Sequence, residues 1–331
     1  MTRQPVMSWA ASVGASALAT LNRPGWWVMA LAGFLVRGGL VVILLPIVRL
    51  PTTAGLAHDF GPIVVGFVFN GPSAASLVLV GTVAAAVFAW FVLGGVVGGR
   101  LDLELVREAA ADEDLEGLHP PIAGGPAGAF FARVIAHGPT FAVVAVGAVR
   151  LVDAVYQELV RPGDAVLPIA VRVLLRIPEI VGLLVGTWLL GEAVGGLAVR
   201  HLAWGAGLPR SLARGVRAVL RPPALALLLV TNAVLGAVIL AVAGVIGIGW
   251  DHLRLVLADG GSAGEVRLAL LVFALTWAAG LWLLALAVAW RATAWTFEVA
   301  RILGAEASPD PAGGPGPEEA GAIAERSILA P

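Results

Sequence analysis

Long apolar runs alternate with short polar stretches along this chain, and a run of about 20 apolar residues crosses roughly 30 Å of hydrocarbon. Six runs read as bilayer-spanning helices: Trp26–Val48, Ala74–Val97, Pro139–Leu159, Pro178–Ala198, Pro223–Ile248 and Leu268–Trp290. The third has an alternative start near Gly128, which would place Arg133 and His137 in the membrane and carry Arg150 and Asp153 to the far interface. The pattern predicts an all-α polytopic membrane protein, with one transmembrane domain over 1–304 and a disordered tail over 305–331 rich in Pro, Gly, Ala and Glu.

A looser periodicity overlies the spans. Arg23-Pro24, His137-Gly138-Pro139 and Arg221-Pro222-Pro223 precede the first, third and fifth, each after an Ala- and Val-rich stretch with basic residues. Proline suits the first helical turn, where its missing N–H would go unpaired anyway. The expectation is three helical hairpins, each entered through an interfacial amphipathic helix. In the last of these, Arg210, Arg214, Arg217 and Arg221 fall at spacings of four, three and four, which lines one face for a headgroup plane. Arg176-Ile177-Pro178 does not fit the scheme, because it falls on the other side. Residues 1–24 read as a retained interfacial helix, since the stretch Met7–Thr20 is Ala- and Ser-rich with few Leu.

Composition gives the same class. Apolar residues make up 59% of the 331 and charged residues only 13%, against about 45–50% and about 25% in soluble domains. The net charge of -1 gives no support for nucleic-acid binding. With no Cys there are no disulfides, thiolate nucleophiles or thiolate metal sites. All 21 basic residues are Arg, so a P-loop lysine is absent too. Arg49, Arg161, Arg172, Arg176, Arg254 and Arg267 fall on one side of the predicted spans, and about twice as many loop arginines on the other. The positive-inside bias then places both termini in the cytoplasm of a cell-membrane protein. Trp26, Trp27, Trp204, Trp250, Trp290 and Trp295 are expected near span ends, with rings buried and N–H groups wet.

Candidate chemistry is sparse. Gly260-Gly261-Ser262-Ala263-Gly264 matches a nucleophile-elbow pattern, but it lies between two apolar helices, with no His after His252. The five His are dispersed without ligand spacing, and His58-Asp59 stands as an isolated pair. No cofactor or metal site is expected. Leu101–Pro121 is acidic and reads as a solvated connector; Pro51–Pro72 is apolar and Gly-rich enough for a re-entrant segment. Gly182, Gly186, Gly191 and Gly195 have small-xxx-small spacing for close helix packing, as do Gly94 and Gly98.

The strongest signal is charge inside the spans. Arg37, Arg150, Asp153 and Glu192 are each expected to cost about 2.5–3.5 kcal/mol at a helix centre unless paired or wet. Counted along the helices, Arg37, Arg150 and Glu192 fall at similar depth, so the four would form one intramembrane cluster. Two roles follow. In the first, the protein is a non-catalytic structural or interaction component, contacting lipid, a protein partner or a second copy of itself. In the second, the cluster binds an anionic small molecule or headgroup in a transport or lipid-handling unit.

Overall fold

The computed structural model describes residues 9–48, 69–71, 73–112, 125–161 and 167–307, together with His58 and Gly66. The Pro51–Pro72 segment, the connector beyond Asp112 and the tail beyond Ala307 fall largely or wholly outside the described residues. The described chain is helical. Helix α1 spans Trp9–Asn22, and α2 (Pro24–Phe34) passes through a π turn (Leu35–Gly39) into α3 (Leu40–Leu44). Then come α4 (Ala74–Asp112), α5 (Gly125–Ala136), α6 (Gly138–Val160), α7 (Ile169–Arg176) and α8 (Pro178–Ala203). Helices α9 (Leu208–Val219), α10 (Pro222–Ala258) and α11 (Ala263–Ala307) complete it. Among the described residues, six helical segments are long and apolar enough to cross a membrane: Pro24–Ile47, Ala74–Ala111, Gly138–Glu158, Pro178–Ala203, Pro222–Ala258 and Ala263–Gly304. This is an all-α polytopic membrane protein.

Proline opens α2, α6, α8, α9 and α10 in the first turn, as its fixed φ favours. The Gly260–Gly264 motif resolves as a helix start. Ser262 Oγ accepts from the Glu265 amide (3.3 Å), while Glu265 Oε2 accepts from the Ser262 amide (2.7 Å) and hydroxyl (2.8 Å). That is a capping box at the start of α11.

Three units build the molecule, each a short helix followed by two long ones. Unit one runs from α1 to α4, unit two from α5 to α8 and unit three from α9 to α11. The sequence feature that broke the pattern, Arg176-Ile177-Pro178, is the junction of the extra helix α7 with α8. Within each unit the long helices pair, α2 with α4, α6 with α8 and α10 with α11. Between units the second long helix takes the short helix of the next: α4 packs on α5, α8 on α9, and α11 back on α1. The units therefore close a ring, with α4, α8 and α11 in mutual contact at its centre.

Burial divides the long helices into two zones. Residues 74–91 of α4, 178–190 of α8 and most of 263–283 of α11 are exposed or half-exposed and mostly apolar, as a lipid-facing surface is. Residues 191–203 of α8 and 284–300 of α11 are nearly all buried, covered by α1, α5 and α9. Trp26 and Trp295 belong to this compact layer at 2% and 1% exposure, and Trp295 Nε1, expected to stay wet, donates instead to Thr231 Oγ1. The short helices are thus also packing elements: Ser12, Ser16, Ala19 and Thr20 of α1 are buried, and Thr20 Oγ1 donates to Thr293 Oγ1 at 3.2 Å.

Close approach rests on a glycine pattern that recurs in units one and two. Leu93-Gly94-Gly95-Val96-Val97-Gly98-Gly99 in α4 matches Leu190-Gly191-Glu192-Ala193-Val194-Gly195-Gly196 in α8. A Cβ on Gly98 would meet Arg37 at 2.8 Å, one on Gly99 the Pro126 carbonyl at 2.9 Å, and one on Gly191 the His137 ring at 2.8 Å. Gly195 faces Arg133 and Ala136 at 3.3 Å. Gly182 and Gly186, in the exposed zone of α8, have nothing within 4 Å among the described residues, so the expected close packing does not reach them there.

Candidate functional site: a buried arginine network at the ring centre

The first span carries its arginine on a broken helix. Arg37 and Gly38 leave helical geometry, with Gly38 at φ 106°, a conformation glycine adopts without strain. The π turn frees the Val36 carbonyl, which accepts from Trp90 Nε1 at 2.7 Å, and Arg37 is directed at α4. There its Nη1 donates to Asp102 Oδ2. The same oxygen accepts from Arg133 Nη2 of α5 at 2.5 Å. Arg133 Nη1 lies 3.3 Å from Glu192 Oε1 of α8, and Glu192 Oε2 lies 3.4 Å from Arg291 Nη2 of α11. Arg291 Nη1 in turn donates to Asn232 Oδ1 of α10 at 2.9 Å. His137 Nε2, between α5 and α6, is 3.7 Å from Glu192. One chain of contacts ties helices from all three units.

Beside it sits Arg200, only 3% exposed. Its guanidinium donates to the Gly196 and Ala292 carbonyls, both at 2.7 Å, and to Thr296 Oγ1 at 3.2 Å. Two cations lie over the Trp295 ring, Arg200 5.5 Å and Arg291 5.0 Å from its centroid, and Trp295 donates through Nε1 to Thr231 Oγ1 at 2.9 Å. Arg37, Asp102, Arg133, Arg200, Arg291 and Trp295 line a central cavity of ≈ 10 Å³, room for about one water-sized particle.

The sequence-predicted cluster divides. Arg37 and Glu192 belong to the network, joined through Asp102 and Arg133. Arg150 and Asp153 do not. Arg150 pairs with Glu179 at 3.6 Å, both more than half exposed, and Asp153 is exposed beside Gln157. The error was one of register. Antiparallel α6 and α8 align His137 with Gly191 and Gly147 with Ile180, so Arg150 falls opposite Glu179, about 20 Å along α8 from Glu192. The alternative start of the third span had pointed to Arg133 and His137, which are the residues that join.

Asp102, Arg200, Arg291 and Asn232 escaped the sequence reading, because each was assigned to a loop or passed over. A signal existed. Gly94, Gly98 and Asp102 repeat every four residues on one face of α4, as Glu192, Gly196 and Arg200 do on α8, and Arg291 with Trp295 on α11. A second buried ion group fastens α7 to α6: Glu158, 1% exposed, takes Arg172 Nε at 3.0 Å and Arg176 Nε at 2.9 Å. The basic face of α9 is exposed at Arg210, Arg214 and Arg217 and continues to the exposed Arg221 just beyond the helix, while Ser211, Gly215 and Ala218 pack inward.

No protein-family model, no curated protein and no solved structure matches the chain. Fold and site together define its class, a polytopic helical membrane protein organised around an internal charge network.

Proposed function

We propose that this protein is a non-catalytic membrane component, a three-unit scaffold that acts through its contacts with lipid and with partner proteins. The observation that carries this reading is the network itself. It links the π turn of the first span, α4, α5, α8, α10 and α11 through direct side-chain ion pairs and hydrogen bonds, around a cavity with room for about one water. A solute path would need more space and a hydrated wall.

The network-side layer faces the cytoplasm of a cell membrane. Arg23, Arg100, Arg107, Arg210, Arg214, Arg217, Arg221 and Arg301 lie on that side, against Arg161, Arg172, Arg176, Arg254 and Arg267 on the other. The exposed arginine face of α9 then rests on anionic headgroups, each arginine contributing about 1 kcal/mol near a charged leaflet. The remaining cytoplasmic surface is the docking face for a protein partner or a second copy.

Flux measurements in proteoliposomes test the choice against transport. Chloride, phosphate and a small carboxylate are expected to cross at the rate of protein-free vesicles. Flux above that rate, abolished by Asp102→Asn, would overturn the scaffold reading in favour of an anion-handling one.

A further inference from the structure

The charges of the network do not sum to zero. Among the described residues, the only carboxylates within hydrogen-bonding or ion-pairing reach of Arg37, Arg133, Arg200 and Arg291 are Asp102 and Glu192, an excess of two positive charges in a buried site. Arg200 makes no direct ion pair with a described carboxylate; its hydrogen-bond and ring partners are carbonyls, a hydroxyl and an indole face. Arg133 Nε is buried and makes no hydrogen bond among the described residues. All four arginines line the same cavity of ≈ 10 Å³. Its wall includes the broken segment of the first span, and interrupted helices mark ion sites in membrane proteins.

We infer that this cavity holds one monatomic anion, chloride under physiological conditions, as an integral part of the helix-locking network. Size selects the class. The space is water-sized; chloride exceeds water by only a few tenths of an ångström in radius, which flexible guanidiniums can yield, whereas a tetrahedral oxyanion needs far more room. Charge selects the sign, because buried cations without counter-ions are costly and a small anion among four guanidiniums offsets that cost. Asp102 forms part of the wall, and its carboxylate already receives Arg37 and Arg133, so its charge is spent within the network. The inference rests on the scaffold reading and adds a ligand to it.

The test uses the purified full-length protein in detergent at fixed pH and ionic strength. Sodium gluconate is exchanged for sodium chloride, sodium bromide or sodium phosphate, and thermal unfolding is followed. Chloride and bromide are expected to raise the melting temperature by about 3 °C for each tenfold increase above the dissociation constant, and phosphate is not. Bromide-soaked crystals are expected to show an anomalous peak among Arg37, Arg133, Arg200 and Arg291. Arg200→Gln is expected to lower the chloride response at least threefold. Equal melting in gluconate and chloride, or stabilisation by phosphate alone, overturns the inference. Chloride-independent melting together with absent flux would remove the anion and leave the scaffold reading intact.

Discussion

Asp102→Asn is the most discriminating perturbation of the network. Asparagine keeps the shape of the side chain and removes only the charge that holds Arg37 and Arg133 on one carboxylate oxygen. Those two guanidiniums would then face each other in a site already positive. Removing one member of a buried ion group costs about 3–5 kcal/mol, far above the mean value of an exposed pair, about 0–1 kcal/mol. The internal control is Asp251→Asn, whose partner Arg254 lies 3.5 Å away with both side chains largely exposed at the far end of α10. At roughly 2 °C per kcal/mol, the first variant should melt about 6–10 °C below the parent and the second within about 2 °C. Heating aliquots in detergent and measuring the monodisperse fraction by size exclusion reads this directly, with 11 Trp as the fluorescent signal. An Arg37→Gln, Asp102→Asn double-mutant cycle then isolates the pair term. If Asp102→Asn and Asp251→Asn melt together, the buried carboxylate is not holding the helices and the reasoning fails.

Other consequences are equally concrete. Gly215→Ala places a Cβ 2.8 Å from the Val194 carbonyl and should cost about 1–3 kcal/mol, while Gly182→Ala, with nothing within 4 Å, should be neutral or stabilising by up to about 1 kcal/mol; paired melting curves decide. Gly38→Ala forces a side chain into φ 106° and should cost about 1–3 kcal/mol, seen as a lower melting temperature with an unchanged helical circular-dichroism signal. Trp295→Phe removes the indole donor from Thr231 and should cost about 1–3 kcal/mol in the same assay. Replacing Arg210, Arg214 and Arg217 by Gln should reduce the stabilisation gained on adding phosphatidylglycerol, with phosphatidylcholine as the insensitive control; an unchanged response to phosphatidylglycerol would remove α9 as the lipid contact.

Spans were legible in the sequence because bilayer thickness imposes a length, and the observed helices start within a few residues of those read from hydropathy. The helix ends were less legible. Nothing marks where hydrocarbon stops along α4 or α11, which continue as helix past the apolar run to Asp112 and Ala307, so Asp102 and Arg291 were read as solvated when both are buried. Depth counted along isolated helices placed Arg37 and Glu192 well, since each lies on a helix reaching the ring centre. It failed for Arg150, because depth on α6 depends on the level at which α5 delivers it. That level is set by Arg133 and His137 packing against Gly195 and Gly191, a tertiary contact that one-dimensional counting does not contain.

Helix α1 completes the circle of units by seating against α11, as α5 seats against α4 and α9 against α8. Each unit therefore needs a successor, and none needs to be first. A circularly permuted gene that begins at Gly125 and appends residues 9–112 after Ala307 would keep every one of these three seatings. Deleting residues 9–22 instead would strip α11 of its cover and leave Thr293 without the Thr20 hydroxyl that meets it. Succession around the circle, more than the point at which synthesis starts, governs this architecture.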